Sequence, residues 1–103
     1  MKLDGPAAGN ATFELNQVLY NKYIKIMIIT ANMKFASTLS STDYFAALPS
    51  GYKTGTGGYG LILEANGSYN SCIRVLCNTG GGFFQSFTAE LNSIQFFMIL
   101  PIL

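Results

Sequence analysis

From Ala11 the chain alternates. Ala11, Phe13 and Leu15 fall on one side of an extended backbone and Thr12, Glu14 and Asn16 on the other, the period of two expected of a half-buried strand. Tyr23 to Thr30 (YIKIMIIT) is rich in β-branched and aromatic residues and forms the clearest predicted strand. Ile24, Ile26 and Ile28 share one face, and Tyr23, Lys25, Met27 and Ile29 the other. With apolar residues on both sides, this strand is expected at the centre of a sheet or at a subunit contact. Phe35 to Leu39 predicts another short strand. Ser41 or Thr42 then stands where it would cap a short helical turn over Asp43 to Leu48, which Pro49 would end. Tyr59 to Ala65 and Ser68 to Asn78 flank Asn66-Gly67, and such a pair between two β-rich runs predicts a hairpin because its turn needs positive φ at both positions. A turn at Thr79-Gly80-Gly81-Gly82 leads into Phe83 to Ala89, and Asn92-Ser93 precedes a last run, Ile94 to Leu100. About seven strands with little helix predict an all-β fold, an antiparallel β-sandwich of jelly-roll-like kind with one short helical turn.

The 103 residues are enough for one ordinary domain. Residues 1–10 are rich in Gly, Ala and Pro and lack periodicity, which predicts a flexible leader or linker stub, with residues 11–103 forming the folded head. Half of the chain is hydrophobic and 11% is charged, against roughly 25% charged in ordinary soluble domains. A body of this size has little interior in which to hide that surplus. Oligomerisation is therefore expected, the alternative being a monomer covered by Ser, Thr, Asn and Gly. The net charge is +1 and the basic residues are scattered, which argues against a nucleic-acid partner or an anionic membrane held by electrostatics. The longest apolar runs, Ile24 to Ala31 and Phe96 to Leu103, fall far short of the roughly 20 residues that span a bilayer, so no membrane insertion is expected. The first residues show no secretory h-region, which points to synthesis in the cytoplasm.

Catalytic chemistry finds little to work with. There is no His, so the usual base for a Ser or Cys nucleophile is missing. The pair Cys72 and Cys77 supplies only two metal ligands. On one strand those thiols would point to opposite faces, which predicts free cysteines. A carboxylate pair would have to come from Glu14, Asp43, Glu64 and Glu90, and the sequence does not say which two converge. Gly55 to Gly60 superficially matches a dinucleotide fingerprint but precedes a strand where a helix is required. No enzyme, metal or cofactor is expected. The loop Ser50 to Gly58, with four glycines, is the first candidate for contact with a partner. Tyr44, Tyr52, Tyr59 and Tyr69, together with Lys53, Asn66, Asn70 and Arg74, could stack on sugar faces and bond hydroxyls. The bland alternative is that these tyrosines are ordinary strand residues.

Ala11-Thr12-Phe13-Glu14-Leu15-Asn16-Gln17 followed by Tyr23-Ile24-Lys25-Ile26-Met27-Ile28, together with the tail Leu91-Asn92-Ser93-Ile94-Gln95-Phe96-Phe97, resembles the C-terminal head domains of bacteriophage tail-fibre and receptor-binding proteins. The likeness covers most of residues 11 to 100 in pattern. It departs from the knob of pyocin and phage fibres in having no Trp. The resemblance implies a homotrimeric head at the tip of a fibre in the virion, joined upstream to a shaft and binding a host cell-surface glycan or another receptor. The ligand candidates are then Tyr52, Lys53, Tyr59, Asn66, Tyr69 and Asn70. The candidates for the oligomer contact are Tyr23, Lys25, Met27, Ile29, Phe96 and Phe97. Two other functions stay open at this point: a structural virion or assembly module that docks through Phe96 to Leu103, and a free-standing bacterial lectin.

Overall fold

A computed structural model describes residues 1–5, 11–39, 44–55, 57–65, 74–85 and 91–103. These contain seven strands: β1 (Ala11–Asn21), β2 (Ile26–Leu39), β3 (Ala46–Ala47), β4 (Gly58–Ala65), β5 (Arg74–Cys77), β6 (Gly82–Gln85) and β7 (Leu91–Pro101). All pairings are antiparallel, in the order β1-β2-β7-β4-β5-β6-β3. The all-β, sandwich-like expectation therefore holds. Two three-stranded groups, β1-β2-β7 and β5-β6-β3, are joined through β4, which pairs with both β7 and β5. The strand order is that of one continuous sheet.

The inner faces of the two groups meet over an aromatic cluster. Phe96 on β7 lies 5.5 Å from Phe45, just before β3, and 5.7 Å from Phe83 on β6. All three rings are fully buried, so the far end of the sheet must curl back over its beginning. The rest of this core comes from alternate residues of the long strands: Met27, Ile29, Ala31 and Met33 on β2, and Ile94, Phe96, Met98 and Leu100 on β7. Burying one such face supplies the main driving force for the fold.

The N-terminal residues close the structure. The Val18 N–H donates to the Met1 carbonyl (3.2 Å). The Asn16 side chain pairs with both backbone groups of Leu3, accepting its N–H at 2.8 Å and donating to its carbonyl at 3.0 Å. Asp4 bridges Ala47 on β3 through two backbone bonds of 2.9 Å. Residues 1–5 thus tie together the two edge strands, which would otherwise present unpaired backbone. Leu3 is buried in the core. The expectation of a loose leader fails for residues 1–5; residues 6–10 lie outside the described set.

Other expectations change in detail. Of the helical turn expected over Asp43 to Leu48, Asp43 lies outside the described residues and Tyr44 to Leu48 form no helix: they include β3, because the Phe45 N–H and Leu48 N–H bond across to Phe83 and Gly81. Tertiary pairing here outweighs a weak capping signal. The two predicted strands 23–30 and 35–39 are one strand, β2, and Tyr23 and Ile24 belong to the turn before it. In β1 the register shifts between Phe13 and Leu15, so Glu14 is the extra residue of a bulge. Past it the faces exchange: Asn16, opposite Ala31, looks inward, and Leu15, opposite Asn32, looks outward. Strands β4 and β5 pair antiparallel as expected, with Gly58 opposite Cys77. The Asn66-Gly67 turn itself lies outside the described residues.

Candidate functional site

The outer face of the β1-β2-β7 group carries the features that packing does not explain. Register places Leu19, Ile28 and Ile99 directly opposite one another on three adjacent strands. They are 68%, 38% and 56% exposed, a row of large aliphatic side chains turned to solvent. Beside this row stand Ile26 and Phe97, both half-buried. At its end lies the β1–β2 turn, with Tyr23 86% and Ile24 66% exposed. The turn is firmly built. The Asn21 Oδ1 accepts the Tyr23 and Ile24 N–H groups (3.0 and 3.3 Å), Lys25 takes the left-handed conformation that lets the chain return (φ 54°), and the Lys25 carbonyl accepts the Ile102 N–H at 2.8 Å. Lys22 Nζ lies 5.4 Å from the Tyr23 ring centre. Leu19, Tyr23, Ile24 and Ile28 line an open, largely apolar groove of about 570 Å³ at this end.

Further along the same face the character reverses. Asn32 on β2 faces Gln95 on β7, and Gln95 faces Glu64 on β4. One step beyond, Lys34 faces Ser93 and holds Glu14 at 3.0 Å across to β1. Both partners of that ion pair are well exposed, so its contribution to stability is at most about 1 kcal/mol. Together these six side chains line a polar groove of about 240 Å³.

The residues singled out from the sequence are scattered. Met27, Ile29 and Phe96 are fully buried in the protomer's own core and are thereby removed as oligomer contacts. Their side chains alternate inward with the residues of the exposed row, and the sequence could not say which apolar face of β2 was the inner one. Tyr23 and Lys25 are exposed at the turn, and Phe97 is half-buried on the outer face. Of the ligand candidates, Lys53 is exposed, but Tyr52 is half-buried, packs on the core and meets the Tyr20 ring edge-on at 5.2 Å. Tyr44 packs against Phe84 at 6.2 Å in the same manner. Both rings are thus engaged in contacts within the protomer. Tyr59 is described by its backbone alone, within β4, and Asn66, Tyr69 and Asn70 lie outside the described residues. In the described part of the loop 50–58, Thr54 is fully buried and the Lys53 carbonyl accepts the Leu103 N–H at 2.8 Å. Gly57 (φ 70°) leaves no room for a side chain, since a Cβ there would lie 2.7 Å from the Cys77 carbonyl oxygen.

The exposed row Leu19, Ile28, Ile99 went unnoticed in the sequence because it draws on three strands whose pairing is non-local. Its only trace there is that both faces of Tyr23 to Thr30 are apolar. Of the four carboxylates considered for catalysis, Glu14 and Glu64 share the polar groove, while Asp43 and Glu90 lie outside the described residues. Among the described residues no group of three or more His, Cys, Asp or Glu is placed to hold a metal ion. Cys77 is a buried free thiol whose pKa burial pushes up to about 12, the reverse of a nucleophile's requirement. Cys72 lies outside the described residues. No protein-family model, no curated protein and no solved structure matches the chain.

Proposed function

We propose that this chain is a non-catalytic attachment module: the receptor-binding head of a bacteriophage tail fibre, acting in the virion as a homotrimer that binds a host cell-surface saccharide or another receptor. One observation carries the oligomeric part of this reading. Leu19, Ile28 and Ile99 form a row across three paired strands and stand open to water, flanked by half-buried Ile26 and Phe97. A contiguous apolar face on a small protein marks a contact surface, and on a firm sheet it needs no reordering to engage a partner. The trimer contact accordingly moves from Met27, Ile29 and Phe96 to this outer row. A jelly-roll-like wrap belongs to the same reading. It is supported by the folding of both ends of the sheet over one core, although the strand order is that of a single sheet.

The assembly-module alternative keeps only part of its proposed docking element. Phe96 to Leu103 contributes Phe96, Met98, Leu100 and Ile102 to the core, and only its outward residues remain available to a neighbour. Sedimentation of the purified protein with a panel of bacterial strains tests attachment. Strain-restricted binding that the intact protein shows and heat-unfolded protein does not is the expected result. Binding to none of the strains, or to all alike, contradicts it.

A further inference from the structure

We propose that the polar groove formed by Glu14, Asn32, Lys34, Glu64, Ser93 and Gln95 is a binding site for a neutral or amino-bearing saccharide. The inference deepens the attachment reading by naming the site and the ligand class, and it rests on that reading for the source of the sugar.

The groove is built by irregularities on both of its sides. The β1–β2 register shifts at Glu14, and the β4–β7 register shifts between Ile62 and Glu64. The two shifts flank the same cross-strand pair, Asn32 and Gln95, which sits in regular pairing between them. Bulges re-aim side chains and are over-represented beside functional sites. Here they bring a carboxylate from β1 and one from β4 to line a groove floored by the two central strands. A regular sheet would leave this stretch as a plain polar face.

The chemistry of the lining selects the ligand. Asn32 and Gln95 each carry an amide with two donor hydrogens and an accepting oxygen. Both residues are half-buried, as is Glu64, and among the described residues the side chains of these three bond to no other group. Their hydrogen-bonding capacity therefore faces the groove. A hydroxyl both donates and accepts, and vicinal hydroxyls on a sugar ring match an amide beside a carboxylate in the way that a phosphate, an acceptor alone, does not. Charge narrows the class further. Lys34 pairs with Glu14, which leaves Glu64 as the charge without an ion-pair partner among the described residues of the groove, so an anionic sugar is disfavoured and an ammonium group is welcome. The site stands apart from the apolar row: Asn32 is four residues along β2 from Ile28, about 13 Å at the rise of a strand. It can thus stay open at the margin of an oligomer that covers that row.

The test is a titration of the intact protein, followed by the side-chain amide signals of Asn32 and Gln95 in nitrogen-15 NMR. The probes are glucose, galactose, mannose, N-acetylglucosamine, glucosamine and glucuronate, each taken to about 50 mM, since a small, open site of this kind implies millimolar affinity. The expected result is saturable shifts at Asn32 and Gln95 with at least one neutral or amino sugar and none with glucuronate. Binding should fall at least tenfold in the Asn32→Ala, Gln95→Ala double variant while its backbone amide spectrum stays folded. In Glu64→Gln the preference for glucosamine over glucuronate should shrink, a change that loss of structure would not produce. No shift with any neutral or amino sugar, or shifts that survive the double variant, overturns the proposal. A protein that is trimeric and binds cells yet gives no shift loses the groove alone. One that gives the shifts but binds no cells keeps the groove and loses the attachment reading.

Discussion

Asn16 does with its side chain what a neighbouring strand does with its backbone, meeting both the N–H and the carbonyl of Leu3. Replacing it by Ala strands two polar groups at the rim of the core, which costs about 1–3 kcal/mol. Asn16→Ala should lower the denaturation midpoint and speed amide exchange at Leu3 and Asp4. Equal stability and unchanged exchange would show that residues 1–5 are held by other means. Cys77 gives a second residue-level expectation. Its folded pKa of about 12 lies above the ordinary thiol value of 9.0. The folded state therefore holds this proton more tightly, and the stability it contributes is complete below pH 9 and lost as the pH climbs toward 12. Thiol reagents at pH 8 should leave Cys77 unmodified until the protein unfolds, as cysteine-resolved mass mapping would show. Rapid labelling in the native state would contradict the burial.

At the scale of the element, the long strands were legible because apolar and β-branched residues recur every second position in Tyr23 to Thr30 and Ile94 to Leu100. What escaped was anything set by a partner strand. The alternation of Ala11 to Asn16 reads as unbroken, yet the bulge at Glu14 reverses the faces beyond it, and that bulge exists only in relation to β2. Asp43 to Leu48 stands between a candidate cap at Ser41 or Thr42 and a stop at Pro49, but bonds from Phe45 and Leu48 to Phe83 and Gly81 draw its described residues into the sheet. Both apolar faces of β2 looked equally fit for the interior, and only the closure over Phe45 and Phe83 decides that Met27 and Ile29 are inside and Ile28 outside. The polar groove was hidden for the same reason: Glu14 and Glu64 are fifty residues apart in the chain and are brought to one groove by β2 and β7. Because Phe96 on β7 packs against Phe45 and Phe83 at the far end of the sheet, Phe96→Ala should be among the most damaging truncations, costing about 3–5 kcal/mol. Urea unfolding measures it, and a loss under about 1 kcal/mol would mean that the aromatic cluster does not hold the curled sheet together.

For the whole molecule, low charge and high apolar content find two outlets. One is the core between the sheet groups; the other is the open row Leu19, Ile28, Ile99. The trimer reading requires this row to be covered by other copies of the chain. It predicts that Leu19→Lys combined with Ile99→Lys leaves the fold intact, since both side chains are exposed in the protomer, while weakening association by at least about a hundredfold, near 2.7 kcal/mol. The direct measurement is the solution mass of the 103-residue chain and of this double variant, by light scattering on a sizing column over a concentration series. A trimer that the two lysines reduce to a folded monomer is the predicted result. A wild-type chain that stays monomeric at every concentration, or an oligomer that the lysines leave unchanged, would contradict it.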